Sequence, residues 1–175
     1  MKRPRGKDPT NTIQGIAIVL VFVFLATYGF FSLMARDPVW FVGGFEDRPS
    51  RILVYHHGER TELRPGEDGF EELSHAAVTS LDDGFARLTS LGLSEPSLQD
   101  AYTRDVSLEI FFERPVEIHT WFSTGRTTQM LFLITGRYSE LKVVMLGDEG
   151  DYRSGAPQLK SWEPVREALK SLDYY

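Results

Sequence analysis

The stretch that decides the architecture is Thr12–Ala35, TIQGIAIVLVFVFLATYGFFSLMA. No charged residue occurs between Asp8 and Arg36, and from Ile13 onward Gln14, Thr27 and Ser32 are the only plainly polar side chains. A helix rises 1.5 Å per residue, so roughly 20 such residues cross the ~30 Å hydrocarbon layer of a bilayer. A helix lying on the core of a soluble domain carries an apolar stripe and a polar back; this segment is apolar all round. In lipid its backbone groups have no water to bond, so they must pair within a helix. A cleaved signal has a shorter apolar region of ~7–15 residues and a small-x-small cleavage site. Here Leu33 stands where a small residue is required, and no cysteine exists to carry a lipid after cleavage. The segment is therefore read as an uncleaved signal-anchor.

The flanks set its direction. Lys2, Arg3, Arg5 and Lys7 precede the span against Asp8 alone, whereas Arg36 and Asp37 cancel beyond it. Positive flanks stay in the cytoplasm. The expected layout is a cytoplasmic basic tail at residues 1–11, the transmembrane helix at 12–35, a membrane-proximal linker at 36–50 and an extracytoplasmic domain at 51–175. Tyr28, Trp40 and Phe41 fall near the outer boundary, where amphipathic rings settle among headgroups. Trp40 and Phe41 serve equally well as the start of the domain's first strand.

Removing the tail's four cations and one anion takes the formal charge from −6 to −9, so the outer part is strongly acidic. It repels phosphate backbones, and nucleic acid is not an expected partner. The absence of cysteine removes disulfides, thiolate chemistry and Cys-ligated zinc together. Arginine exceeds lysine in this part, and the only asparagine is Asn11; that bias suits a bacterial plasma-membrane protein.

The domain reads as α+β, with a mainly antiparallel sheet of about five to six strands and two helices. Residues 36–50 lead through Gly43 and Gly44 toward an edge strand. Ile52–His57 and Thr61–Arg64 form a hairpin around Gly58. Asp68 is the expected N-cap, with Glu71 completing a capping box, of a helix whose stripe is Phe70, Leu73, Ala77, Leu81, Phe85 and Leu88. Gly84 bends or splits it. GLSEPSLQDAYTRD (91–105, less its first leucine) is a connector. Val106–Glu113 alternates, Arg114-Pro115 ends it, and Val116–Phe122 alternates again. Met130–Thr135 and Leu141–Leu146 are apolar on both faces, as covered central strands are. An acidic loop then leads to a closing helix at Glu163–Leu172.

Several residues invite chemistry. His56 and His57 suggest a metal, but neighbours in a strand point to opposite faces, and His75 or His119 lies at no ligand spacing from them. Asp148, Glu149 and Asp151 suggest calcium, without the EF-hand pattern. Glu109, Glu113, Glu117 and His119 share a predicted sheet face with Phe111 and Trp121. Carboxylates beside a histidine are acid–base parts, and they are equally the ordinary content of a solvated sheet. Aromatic rings on a polar face mark docking patches, so Phe111, Trp121, Glu109 and His119 form the candidate interaction patch. No nucleophile elbow, phosphate loop or dinucleotide fingerprint occurs. Neither a catalytic residue nor a cofactor or metal is assigned.

The expected function is that of a single-pass membrane protein whose outer domain is a non-catalytic binding or accessory module. It serves a membrane or envelope complex, with the lipid bilayer and a neighbouring protein as partners. Two alternatives stand beside it. One is a membrane-anchored hydrolase using His56 or His57 with carboxylates. The other is a structural subunit whose span packs into a complex through Gly29 with Ala26 or Ser32.

Overall fold

The computed structural model describes residues 9–41 and 44–175. The basic tail and Gly43 lie outside them, apart from the tail's last three residues, which belong to the first helix. That helix, α1, runs from Pro9 to Ala35. Its 23-residue segment Ile13–Ala35 has a mean hydropathy of 2.5 and is uncovered by the domain through its apolar window. The helix stops where Arg36 takes a left-handed φ of 56°. Residues 37–41 then fold back along its last turns. The Asp37 N–H donates to the Ser32 carbonyl at 3.2 Å, and the Tyr28 hydroxyl donates to that of Pro38 at 2.7 Å. Trp40 packs on Phe31 and Phe41 on Tyr28, with centroids 5.4 and 6.0 Å apart. Trp40 and Phe41 thus form an aromatic collar on the helix and belong to no strand.

The domain is built on a six-stranded antiparallel sheet in the order β2-β1-β4-β5-β6-β7. Its strands are β1 (Arg51–His56), β2 (Glu59–Leu63), β4 (Val106–Glu117), β5 (Arg126–Leu133), β6 (Val144–Asp148) and β7 (Asp151–Tyr152). A two-stranded sheet pairs β3 (Phe85–Leu88) with β8 (Pro157–Leu159). Three further helices are α2 (Phe70–Asp82), α3 (Glu95–Thr103) and α4 (Glu163–Ser171). The β1–β2 hairpin turns on His57 and Gly58, both at positive φ, as a tight turn matched to strand twist requires.

Both sheet faces are covered, as the all-apolar strands imply. On one face α2 and α4 pack over Ile52, Val54, Leu108, Ile110, Met130, Phe132, Val144 and Leu146. Each large apolar side chain so buried contributes roughly 1.5–3 kcal/mol before the cost of ordering it. On the other face a smaller cluster gathers Leu131, Leu133, Val143 and Met145 beneath Ala101 of α3 and Ala156. The Ser107 hydroxyl donates to the Ala101 carbonyl at 2.8 Å, fastening α3 to β4. This second cover ends short of the row Arg51, Phe111 and Gln129, and a groove opens there.

Five expectations need correction. The domain has three α-helices, because α3 lies within the segment read as a connector. Phe85 and Leu88 leave the helical stripe: Gly84, at φ 87°, turns the chain from α2 into β3. The N-cap of α2 is Gly69, in a left-handed conformation that any Cβ would strain, and Asp68 does not cap it. The linker enters β1, which lies between β2 and β4 and is not an edge; the edge strands are β2 and β7. Arg114-Pro115 also proves to be an irregularity inside β4, since pairing with β5 shifts between Phe111 and Val116 and then resumes. Proline has no N–H to give a ladder, and a bulge is where a strand tolerates it. Beyond β4 the predicted alternation persists in burial: Ile118, Thr120 and Phe122 point inward.

Candidate functional site

Glu109 is the centre of the groove's floor. Its strand places it on the face opposite Leu108 and Ile110. Expected on a solvated face, it is instead 4% exposed. Three tyrosine hydroxyls converge on its carboxylate. Tyr55 of β1 donates to Oε2 at 3.0 Å. Tyr102 of α3 donates to Oε1 at 3.4 Å, and Tyr152 of β7 donates to the same oxygen. Tyr55 and Tyr102 also stack, with ring centroids 4.4 Å apart. Burial and then the Glu109 charge raise all three phenols above their ordinary 10.0, Tyr102 to about 12. All three therefore stay protonated at neutral pH and serve Glu109 as donors.

One row toward the rim, Arg51, Phe111 and Gln129 face one another across β1, β4 and β5. The Arg51 guanidinium lies 3.9 Å above the Phe111 ring centroid, a cation–π contact. Gln129 is 2% exposed. Its side-chain oxygen accepts the Gly150 N–H at 2.9 Å, which fixes the orientation of the amide. Its Nε2 then has no hydrogen-bond partner among the described residues. A buried donor left so costs about 1–3 kcal/mol. Thr128 and Glu149 complete the rim of a groove of about 540 Å³.

His119 and Trp121 lie elsewhere, past the end of β4. His119 Nδ1 sits 2.6 Å from an oxygen of Asp37, and the other Asp37 oxygen accepts the Val39 N–H at 2.8 Å. Asp37 is only 6% exposed. The pair clasps the collar of α1 to the domain. Trp121 packs edge-on against Phe122 and is 44% exposed. The four patch residues therefore divide: Glu109 and Phe111 share the groove, and His119 and Trp121 stand beside the anchor.

The other candidates resolve locally. His57 has left the strand, so its ring packs, tilted by 53°, against that of His56 at 4.6 Å, and its Nδ1 meets the Arg104 carbonyl at 2.9 Å. Both orientations differ from the opposite-face expectation because His57 occupies the turn. Neither histidine lines the groove, nor a smaller cleft of about 220 Å³ that holds Asp100, Arg104, Asp105 and Arg137. There, burial and the Asp100 charge raise the pKa of Asp105. Asp148 accepts the Thr128 N–H and hydroxyl at 2.8 and 2.9 Å, so it organises the β6–β7 turn. Among the described residues no group of three or more His, Asp or Glu is placed to hold a metal ion.

Sequence reasoning missed Tyr55, Tyr102, Tyr152, Arg51 and Gln129. The one local signal was Glu109 itself, an acid inside a strongly apolar strand; its partners come from three separate elements. Comparison with family models, curated proteins and solved structures finds no match. Fold and site together define a membrane-associated protein with one N-terminal apolar helix and a folded six-stranded β-sheet domain.

Proposed function

We propose that the chain is a single-pass plasma-membrane protein, its basic N-terminus cytoplasmic and its domain extracytoplasmic, that acts as a non-catalytic binding module for a neighbour in a membrane or envelope complex. The observation that carries this reading is the groove. A sheet covered on both faces leaves one row less covered, and that row holds an aromatic ring, a guanidinium and a buried amide whose Nε2 has no hydrogen-bond partner among the described residues. Pockets that bind combine apolar walls with a few polar groups of fixed direction. The tyrosine–Glu109 network beneath keeps the floor rigid, and the Asp37–His119 clasp holds the domain close to its span. Anchoring raises the domain's effective concentration for any partner in the same membrane. Phe111 serves within the groove, and Trp121, with His119 beside it, offers a second contact near the membrane.

A photoreactive residue at Thr128, on the groove's rim, tests this in native membranes. It is expected to give one discrete cross-linked protein, lost on Arg51→Ala, while the same residue at exposed His75 on α2 gives none. Identical background from both positions would contradict the reading.

A further inference from the structure

We infer that the groove is a carboxylate-binding site. The inference rests on the reading of the groove as the binding face and names the chemistry of what it takes. The unmet bonding capacity of the groove's inner row consists of donors, and Glu149 stands on the rim. Arg51 makes no ion pair within 4.0 Å among the described residues. Its guanidinium lies 3.9 Å over the Phe111 ring centroid, and the ring accepts no N–H···O bond from it. Two acids share that face: Glu109 is occupied by three tyrosines, and Glu62, on β2, pairs with Arg60 and Arg64 at 3.4 and 2.9 Å rather than with Arg51. On the opposite side of Phe111, the Gln129 Nε2 donor is buried and unpartnered among the described residues.

Arg51 and Gln129 flank one ring, in register across three adjacent strands. A planar carboxylate has two oxygens with about four acceptor positions. One oxygen takes the guanidinium edge and the other the amide, while the carbon skeleton behind lies along Phe111. Arginine binds a carboxylate through paired N–H bonds, which a lysine cannot reproduce. Arg60 also lines the groove but pairs with Glu62 at 3.4 Å, and the single cation left unpaired suits a monoanion better than a phosphate. Glu149 at the rim and the acidic domain disfavour a dianion further. Two sources supply such a group: the C-terminus of a peptide chain and a small free acid.

The test uses the full chain, ¹⁵N-labelled, in phosphatidylcholine nanodiscs. The Gln129 side-chain amide and the Arg51 Nε resonances are followed during titration with N-acetyl-Ala-Ala, its C-terminal amide, acetate and inorganic phosphate. N-acetyl-Ala-Ala is expected to shift both resonances saturably below about 10 mM, and the amide-capped peptide to shift neither. Arg51→Lys retains the charge but loses the fork, and weakens the response by roughly tenfold. Glu149→Gln strengthens it. The unchanged remainder of the spectrum establishes that each variant is folded. A stronger response to the peptide than to acetate identifies a chain terminus; equal responses identify a free acid. An equal response to the capped peptide, a stronger one to phosphate, or none that saturates overturns the inference. A discrete cross-link from Thr128 without any carboxylate response would leave the groove a docking face and remove only the ligand class.

Discussion

Glu109→Ala is expected to cost about 3–5 kcal/mol of domain stability, a large part of the ~5–15 kcal/mol that holds a typical domain together. The substitution removes one side chain and strips the acceptor from three hydroxyls at once. The Tyr152 hydroxyl is the most deeply buried of the three, and Tyr55 and Tyr102 are half-buried at the groove, so the loss of their shared acceptor is felt most at Tyr152. Glu109→Gln keeps a carbonyl acceptor and should lose about half as much. The network interpretation also makes a coupling prediction. Tyr152→Phe should cost less in a Glu109→Leu background than in the native protein, because the hydroxyl it removes is already without a partner. Urea unfolding followed through Trp162, which is buried beside α4, measures all of these. A loss below about 1 kcal/mol for Glu109→Ala would mean that water replaces the carboxylate freely and that the floor of the groove is not rigid.

Alkaline titration probes the same network from the donor side. Tyr55, Tyr102 and Tyr152 have folded-state pKa values raised above the ordinary 10.0. Their contribution to stability is fully present below pH 10. As pH climbs past 10 the unfolded chain sheds these protons while the folded one retains them, and stability falls. For Tyr102 the loss runs up to about pH 12; for the other two it extends beyond. The more deeply buried Tyr152 contributes a slope approaching 1.4 kcal/mol per pH unit. Tyr55 and Tyr102, half-buried and better screened, contribute less. Of the chain's seven tyrosines, these three should ionise late by ultraviolet absorbance, and Tyr152→Phe should flatten the stability slope. Ionisation of all seven together near pH 10 would show that the cage opens readily.

The apolar helix, the β1–β2 hairpin and the doubly apolar strands β5 and β6 were legible because each is dictated by its own residues: an uncharged apolar run, a tight turn at Gly58, and short runs apolar on both faces. Helix α3 carried its signals too. The Ser94 hydroxyl accepts from the Ser97 N–H at 3.4 Å, and a proline stands in the first turn. With Ala101 its only fully buried residue, however, it has almost no apolar stripe to detect. Phe85 and Leu88 continued the spacing of α2 by coincidence past Gly84, where only the left-handed backbone marks the change. The site was least legible. Glu109 looked solvated because alternation tells which face a side chain takes and not what covers that face. The cover comes from tyrosines some 7, 43 and 54 positions away along the chain. Asp37 and His119, 82 positions apart, likewise meet only because the collar folds back.

The central claim, a groove displayed outside the membrane from a span whose basic leader stays within, has a direct measurement. Because the chain contains no cysteine, each introduced one reports alone. Thr128→Cys and Lys2→Cys are placed separately in the full chain, and sealed cells are treated with a membrane-impermeant maleimide. Labelling of Thr128→Cys in intact cells, and of Lys2→Cys only after permeabilisation, is the predicted result. Labelling of Lys2→Cys in intact cells with Thr128→Cys protected would invert the topology and contradict the account.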